Sequence, residues 1–146
     1  MTNYDEYQKF IRYKYGHHGF IAVLALVLMN YFFSLFYDFQ WAESKELEII
    51  VLITLVVIIT SVLNVYHGAY FTKKQSPILY VVLFVFIGLM NLYLSFSAYS
   101  PLIEEGLVTS NIVTVLSAIL FLSLPLAYYA RRVVDKRRED KDDDYA

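Results

Sequence analysis

Four long apolar stretches, with the positive charges sorted to one side of them, constrain this chain more than any other feature. Lys9, Arg12 and Lys14 precede the first stretch, and Lys73 and Lys74 lie between the second and third. Arg131, Arg132, Lys136, Arg137, Arg138 and Lys141 follow the fourth. Of the 12 Lys and Arg residues, only Lys45 falls on the other side. A charge costs about 2.5–3.5 kcal/mol at the centre of a spanning helix, and short cytoplasmic loops collect Lys and Arg. The pattern predicts an all-α, integral membrane four-helix bundle with both termini in the cytoplasm. Four spans of about 20 residues each use more than half of the 146 residues, which leaves short loops and a tail.

The spans can be placed along the chain. Residues 1–19 are polar and Tyr-rich, and Tyr7, Phe10, Ile11 and Lys14 recur at helical spacing, which predicts a short amphipathic helix on the membrane surface. The apolar patterning predicts spans over about 20–37, 47–71, 77–99 and 107–130, followed by a charged cytoplasmic tail over 131–146. Ser44 reads as the N-cap of the second span, and Ser76-Pro77 as an N-cap followed by proline at the first helical position of the third. Pro125 predicts a mild kink in the fourth. The first apolar run follows a polar segment and ends without a small-residue cleavage site, so no signal peptide is expected. The tail is basic first and acidic later. It reads as a stop-transfer cluster with a solvated end, its Arg131, Arg132, Lys136, Arg137 and Arg138 close enough to headgroups to attract anionic lipid.

The first and third spans share a string. Leu28-Met29-Asn30 with Ser34 recurs as Leu89-Met90-Asn91 with Ser95, and Glu43 recurs as Glu104 at the same spacing. Each copy contains two spans, so a duplication would make two parallel two-helix repeats. Asn30 and Asn91 would then face each other across the bundle.

Composition removes whole classes of chemistry. The chain contains 0 Cys, which excludes disulfides, Cys-ligated zinc and a thiol nucleophile. The net charge of −2 is sorted by side and implies no nucleic-acid partner. No Asp, Glu, Lys or Arg lies inside an apolar core, whereas ion-coupled transporters and proton relays need such a group. His67 is the sole embedded ionisable candidate, roughly 6 Å from the expected inner end of its span at about 1.5 Å per residue, and a structural role is expected for it.

Uncharged polar residues fall at steps of three and four in every span: Asn30, Ser34 and Asp38; Thr60, Asn64 and His67; Gly88, Asn91 and Ser95; Asn111, Thr114 and Ala118. Residues so spaced share a helix face. These stripes are expected to point into the bundle, as packing and hydrogen-bond glue or as a polar cleft centred on Asn30, Asn64 and Asn91. Aromatic residues collect at the predicted span ends, including Phe36, Tyr37, Phe39 and Trp41 outside and Tyr66, Tyr70, Phe71, Tyr80, Tyr128 and Tyr129 inside, as interfacial belts do. His17 and His18 adjoin the first span without a third partner, so neither a metal nor a cofactor is expected.

The string Asp5-Glu6-Tyr7-Gln8-Lys9-Phe10-Ile11-Arg12-Tyr13-Lys14, leading directly into a span, resembles the N-terminus of uncharacterised small four-span membrane proteins of Gram-positive bacteria. The resemblance covers about the first thirty residues and implies a bacterial cytoplasmic-membrane location without implying an activity. No carboxylate pair, metal cluster or nucleophile–base pair can be assembled from the embedded residues, so no enzyme is expected. Two functions remain. One is an accessory, regulatory or immunity-type subunit that binds another membrane protein or a second copy of itself. The other is a small oligomeric transporter or channel with an Asn-lined path.

Overall fold

The computed structural model describes residues 4–72, 76–97 and 101–143, with side chains described as far as Arg137. Helix α1 spans Glu6–Tyr37. Extended Asp5 starts it with a capping box: its carboxylate accepts from Gln8 N at 2.7 Å, and Gln8 Oε1 accepts from Asp5 N at 3.3 Å. The helix then runs unbroken into the first apolar stretch, so the surface helix expected over residues 1–19 is not a separate element. At 32 residues α1 is about 48 Å long, more than a hydrocarbon layer of about 30 Å requires. It ends at Asp38, in the left-handed region at φ 48°, a conformation that Asp tolerates better than most residues.

Helix α2 spans Lys45–Tyr66, with Ser44 as its N-cap as expected: Ser44 Oγ accepts from Leu47 N at 3.2 Å. It stops five residues short of the expected Phe71. Gly68, at φ 68°, closes a Schellman motif in which Ala69 N donates to Asn64 O at 2.8 Å and Gly68 N to Val65 O at 2.9 Å. Helix α3 spans Pro77–Ser97, beginning at the proline the sequence indicates; residues 98–100 of the expected third span lie outside the described residues.

Two short antiparallel strands, β1 (Ile103–Glu104) and β2 (Leu107–Val108), form a hairpin in the loop of this all-helical fold. Val108 N donates to Trp41 O at 2.9 Å and accepts through its own carbonyl from Glu43 N at 3.0 Å, which ties this hairpin to the loop after α1. Helix α4, Asn111–Asp143, consequently starts later than residue 107 and continues through Pro125 and the charged tail. The tail's described part is therefore helical. An i,i+4 ion pair, Arg131 Nε to Asp135 Oδ2 at 3.1 Å, is placed to support it.

The helix contacts run α1–α2, α2–α4 and α4–α3. The molecule is thus two antiparallel hairpins joined through their second helices, with α1 and α3 outermost. All four helices are long and apolar enough to cross a membrane, and large apolar side chains such as Leu24, Phe32, Ile59, Phe86 and Leu126 point outward. One core cluster (Ala42, Leu47, Val51, Leu116) lies near the two loops just described. A second (Val65, Phe84, Leu124, Ala127) lies near the opposite end. Gly88 permits close approach of α3 to α4, since a Cβ there would fall 2.6 Å from Leu122 Cγ. The end with the loops after α1 and α3 is called here the acidic end, and the other the basic end.

Candidate functional site

At the acidic end a carboxyl group is fully enclosed. Glu48, in the first turn of α2, is 0% exposed. Each of its oxygens has a donor: Trp41 N to Oε1 at 2.8 Å, and Asn30 Nδ2 to Oε2 at 2.7 Å. Trp41 closes the ring through its indole, whose Nε1–H donates to Asn30 Oδ1 at 2.9 Å. Asn30 therefore uses both ends of its amide, and a helix, a loop and a second helix lock at one point. Burying such a group without partners would cost several kcal/mol. One turn nearer the end of α1, Lys45 Nζ donates to Ser34 Oγ at 2.5 Å. Beside this cluster, between α1 and α2, is a cavity of about 390 Å³ lined by Asn30, Ser34, Asp38, Lys45, Glu48 and apolar neighbours.

The basic end solves a different problem. The segment after α2 leaves backbone carbonyls that no helix can satisfy, and side chains from α1 and α4 reach them. Gln8 Nε2 donates to Gly68 O at 2.8 Å and to Phe71 O at 3.1 Å. Arg12 reaches Ala69 O at 3.4 Å and lies over the Tyr4 ring at 4.4 Å, while Arg131 Nη1 donates to Tyr66 O at 3.1 Å. Cations at a helix C-terminus also complement its dipole. His67, the C-cap of α2, meets Tyr15 Oη through Nε2 at 2.8 Å. Burial pushes the Tyr70 hydroxyl above its usual titration range, and Arg12 tempers the effect. A second cavity of about 670 Å³ opens here among Tyr4, Arg12, Asn64, Tyr70 and Tyr80.

The expected cleft centred on three asparagines does not form. Asn30 belongs to the acidic-end cluster, Asn64 Nδ2 donates to Thr60 O at 2.8 Å, and Asn91 Nδ2 donates to Ile87 O at 2.9 Å on its own helix. Asn30 and Asn91 do not face each other, because their helices are the two outermost and each binds elsewhere. Thr60 Oγ1 donates to Val56 O at 2.9 Å, and Asn111 Nδ2 donates to Ser95 O at 3.3 Å. Thr114 is half-buried and Ala118 is buried. The polar stripes are thus mostly turned onto backbone carbonyls. Asn64 Oδ1 is buried and has no partner among the described residues, an acceptor at the edge of the second cavity.

Other expectations shift as well. Tyr70, Phe71, Tyr80 and Tyr128 pack with one another and with Phe84, so these rings form a core cluster rather than a lipid-facing belt. Arg131 is engaged by Tyr66 O and Asp135, leaving Arg132, Lys136 and Arg137 as the exposed cations of the tail; the Arg138 side chain lies outside the described ones. His18 Nδ1 donates to Lys14 O at 2.6 Å, and His17 stacks on Tyr13. No cluster of metal-ligating side chains occurs among the described residues.

The chain matches no family model, no curated protein and no solved structure. Function must therefore be argued from the two ends themselves. The most informative residue is Glu48, an acid in the first turn of α2 that the fold encloses completely. Its signal was present: among the acids around the second span, Glu48 has apolar neighbours on both sides, Leu47 and Ile49. Gln8 likewise carries a local signal, since it stands three residues after Asp5, the spacing of a capping box.

Proposed function

We propose that this is a multi-pass protein of a bacterial cytoplasmic membrane, with both termini in the cytoplasm, that acts without catalysis by binding another membrane protein. An accessory, regulatory or immunity-type subunit fits that description. The sorting of Lys and Arg supports the orientation. The paired hairpins are in keeping with a duplication whose copies have diverged at Asn30 and Asn91.

One observation carries the functional reading. The asparagine side chains that would line a solute path are separated and mostly bonded internally, whereas α1 is held by α2 along one side and stays open elsewhere. Only 11% of its most apolar stretch is buried, against 28% for α4, so α1 has the most surface left for a neighbour in the bilayer. The exposed cations Lys9, Lys14, Arg132, Lys136 and Arg137 supply a second contact region at the basic end.

A photo-crosslinking residue at Leu24 on α1 tests the reading against the same residue at Phe86 on α3. The expected result is a discrete protein adduct from Leu24 in native membranes and no solute flux in proteoliposomes. Lipid adducts alone from both positions, with a flux that Asn30→Leu or Asn91→Leu abolishes while the helices stay assembled, would favour a transporter.

A further inference from the structure

Two opposite charges stand at the mouth of the acidic-end cavity without neutralising each other. Asp38 and Lys45 both line it and both are exposed. Lys45 Nζ is bonded to the neutral Ser34 hydroxyl, and neither residue makes an ion pair among the described residues. Leu28, Leu35 and Ile49 make the walls apolar, and fully buried Glu48 lies behind. A cation and an anion at the rim of an apolar slot, beside two helices long enough to cross a bilayer, complement a zwitterionic amphiphile.

We propose that this groove seats one phospholipid with a primary-amine headgroup, of the phosphatidylethanolamine type. Lys45 takes the phosphate, Asp38 takes the ammonium, and the first methylenes lie along Leu28, Leu35 and Ile49. A cavity of about 390 Å³ holds a headgroup and the start of a chain, which leaves the tails in the bilayer. The primary amine is selected by hydrogen bonding: an ammonium presents donors to a carboxylate, as Lys does. A quaternary headgroup presents none and relies on aromatic cages, whereas Tyr31 is the one aromatic lining this cavity. A headgroup with no cation would offer Asp38 no partner.

Trp41 is the only Trp of the chain, and its indole is bonded to Asn30 at the cavity wall, so its fluorescence reports occupancy. The full-length protein is placed in phosphatidylcholine nanodiscs containing increasing fractions of acyl-brominated phosphatidylethanolamine, phosphatidylcholine or phosphatidylglycerol. Quenching by the ethanolamine lipid is expected to saturate at a mole fraction about tenfold lower than for the other two, equivalent to about 1.4 kcal/mol of preference. Asp38→Asn, which keeps a residue that tolerates positive φ, should erase that preference without moving the Trp41 emission maximum in unbrominated lipid. Lys45→Met should weaken saturation by the ethanolamine lipid as well. Equal quenching by all three lipids, a preference that survives Asp38→Asn, or no quenching by any of them because a protein segment fills the groove would each overturn the proposal.

Discussion

The two ends of the bundle satisfy buried polar groups in opposite ways. At the acidic end the group in need is a side chain, Glu48, and its donors are a loop N–H and the amide of Asn30. At the basic end the groups in need are backbone carbonyls between Tyr66 and Phe71, and the donors are the side chains of Gln8, Arg12 and Arg131. One end therefore depends on a single enclosed residue, while the other spreads its dependence over several partly exposed contacts. Substitutions should accordingly be more damaging at the acidic end, and changes at the basic end should be graded.

Glu48→Leu carries the largest expected effect. It leaves Trp41 N–H and Asn30 Nδ2 without acceptors, each loss being worth about 1–3 kcal/mol. A drop of about 3 kcal/mol or more in stability, with a shifted Trp41 emission maximum, should appear in denaturant unfolding followed in detergent. Gln8→Leu comes next, because it removes two hydrogen bonds that a buried side chain makes to carbonyls of a partly exposed segment. About 1–2 kcal/mol is expected, seen as faster hydrogen exchange around Gly68 with Trp41 emission unchanged. A Trp41 response to Gln8→Leu equal to that for Glu48→Leu would erase the distinction between the ends.

Gly68→Ala should cost about 1 kcal/mol, since φ 68° strains any residue with a Cβ. It should also displace Arg131, whose guanidinium occupies the space a Cβ would need, and Arg131→Ala in that background should add little further destabilisation. The smallest effect is a pH dependence at Tyr70. Its hydroxyl titrates above the ordinary value of 10.0 because burial disfavours the phenolate. That contribution is present below pH 10 and is lost as pH rises through the raised value. Wild type should lose stability relative to Tyr70→Phe above about pH 10, as alkaline melting curves of the pair would reveal. Parallel curves would remove burial of Tyr70 from the description of this end.

How much of this was legible in the sequence depended on how local each signal is. The starts of α2 and α3 could be read because the Ser44 cap and the fixed φ of Pro77 act within one turn. The end of α2 was equally local, in Gly68, but the apolar run continuing to Phe71 concealed it. The later start of α4 could not be read, because Val108 gains its partners from Trp41 and Glu43. Glu48 was hidden for the same reason: hydropathy puts it at a span end, and only the fold of the preceding loop places Trp41 N over it. The rings of Tyr70, Phe71, Tyr80 and Tyr128 carry the composition of an interfacial belt, yet pairwise packing turns them inward. Helical spacing groups Asn and Ser on common faces, but spacing says nothing about whether an amide bonds to a neighbouring helix or to its own, as Asn64 and Asn91 do.

The claim beneath all of this is that the four helices cross a bilayer with the basic end inside the cell. The chain has 0 Cys, so single cysteines placed at exposed Glu6, Glu104 and Lys136 report sidedness cleanly. A membrane-impermeant maleimide should label Glu104→Cys in intact cells, and Glu6→Cys and Lys136→Cys only after permeabilisation. Equal labelling of all three in intact cells, or the reverse pattern, would contradict it.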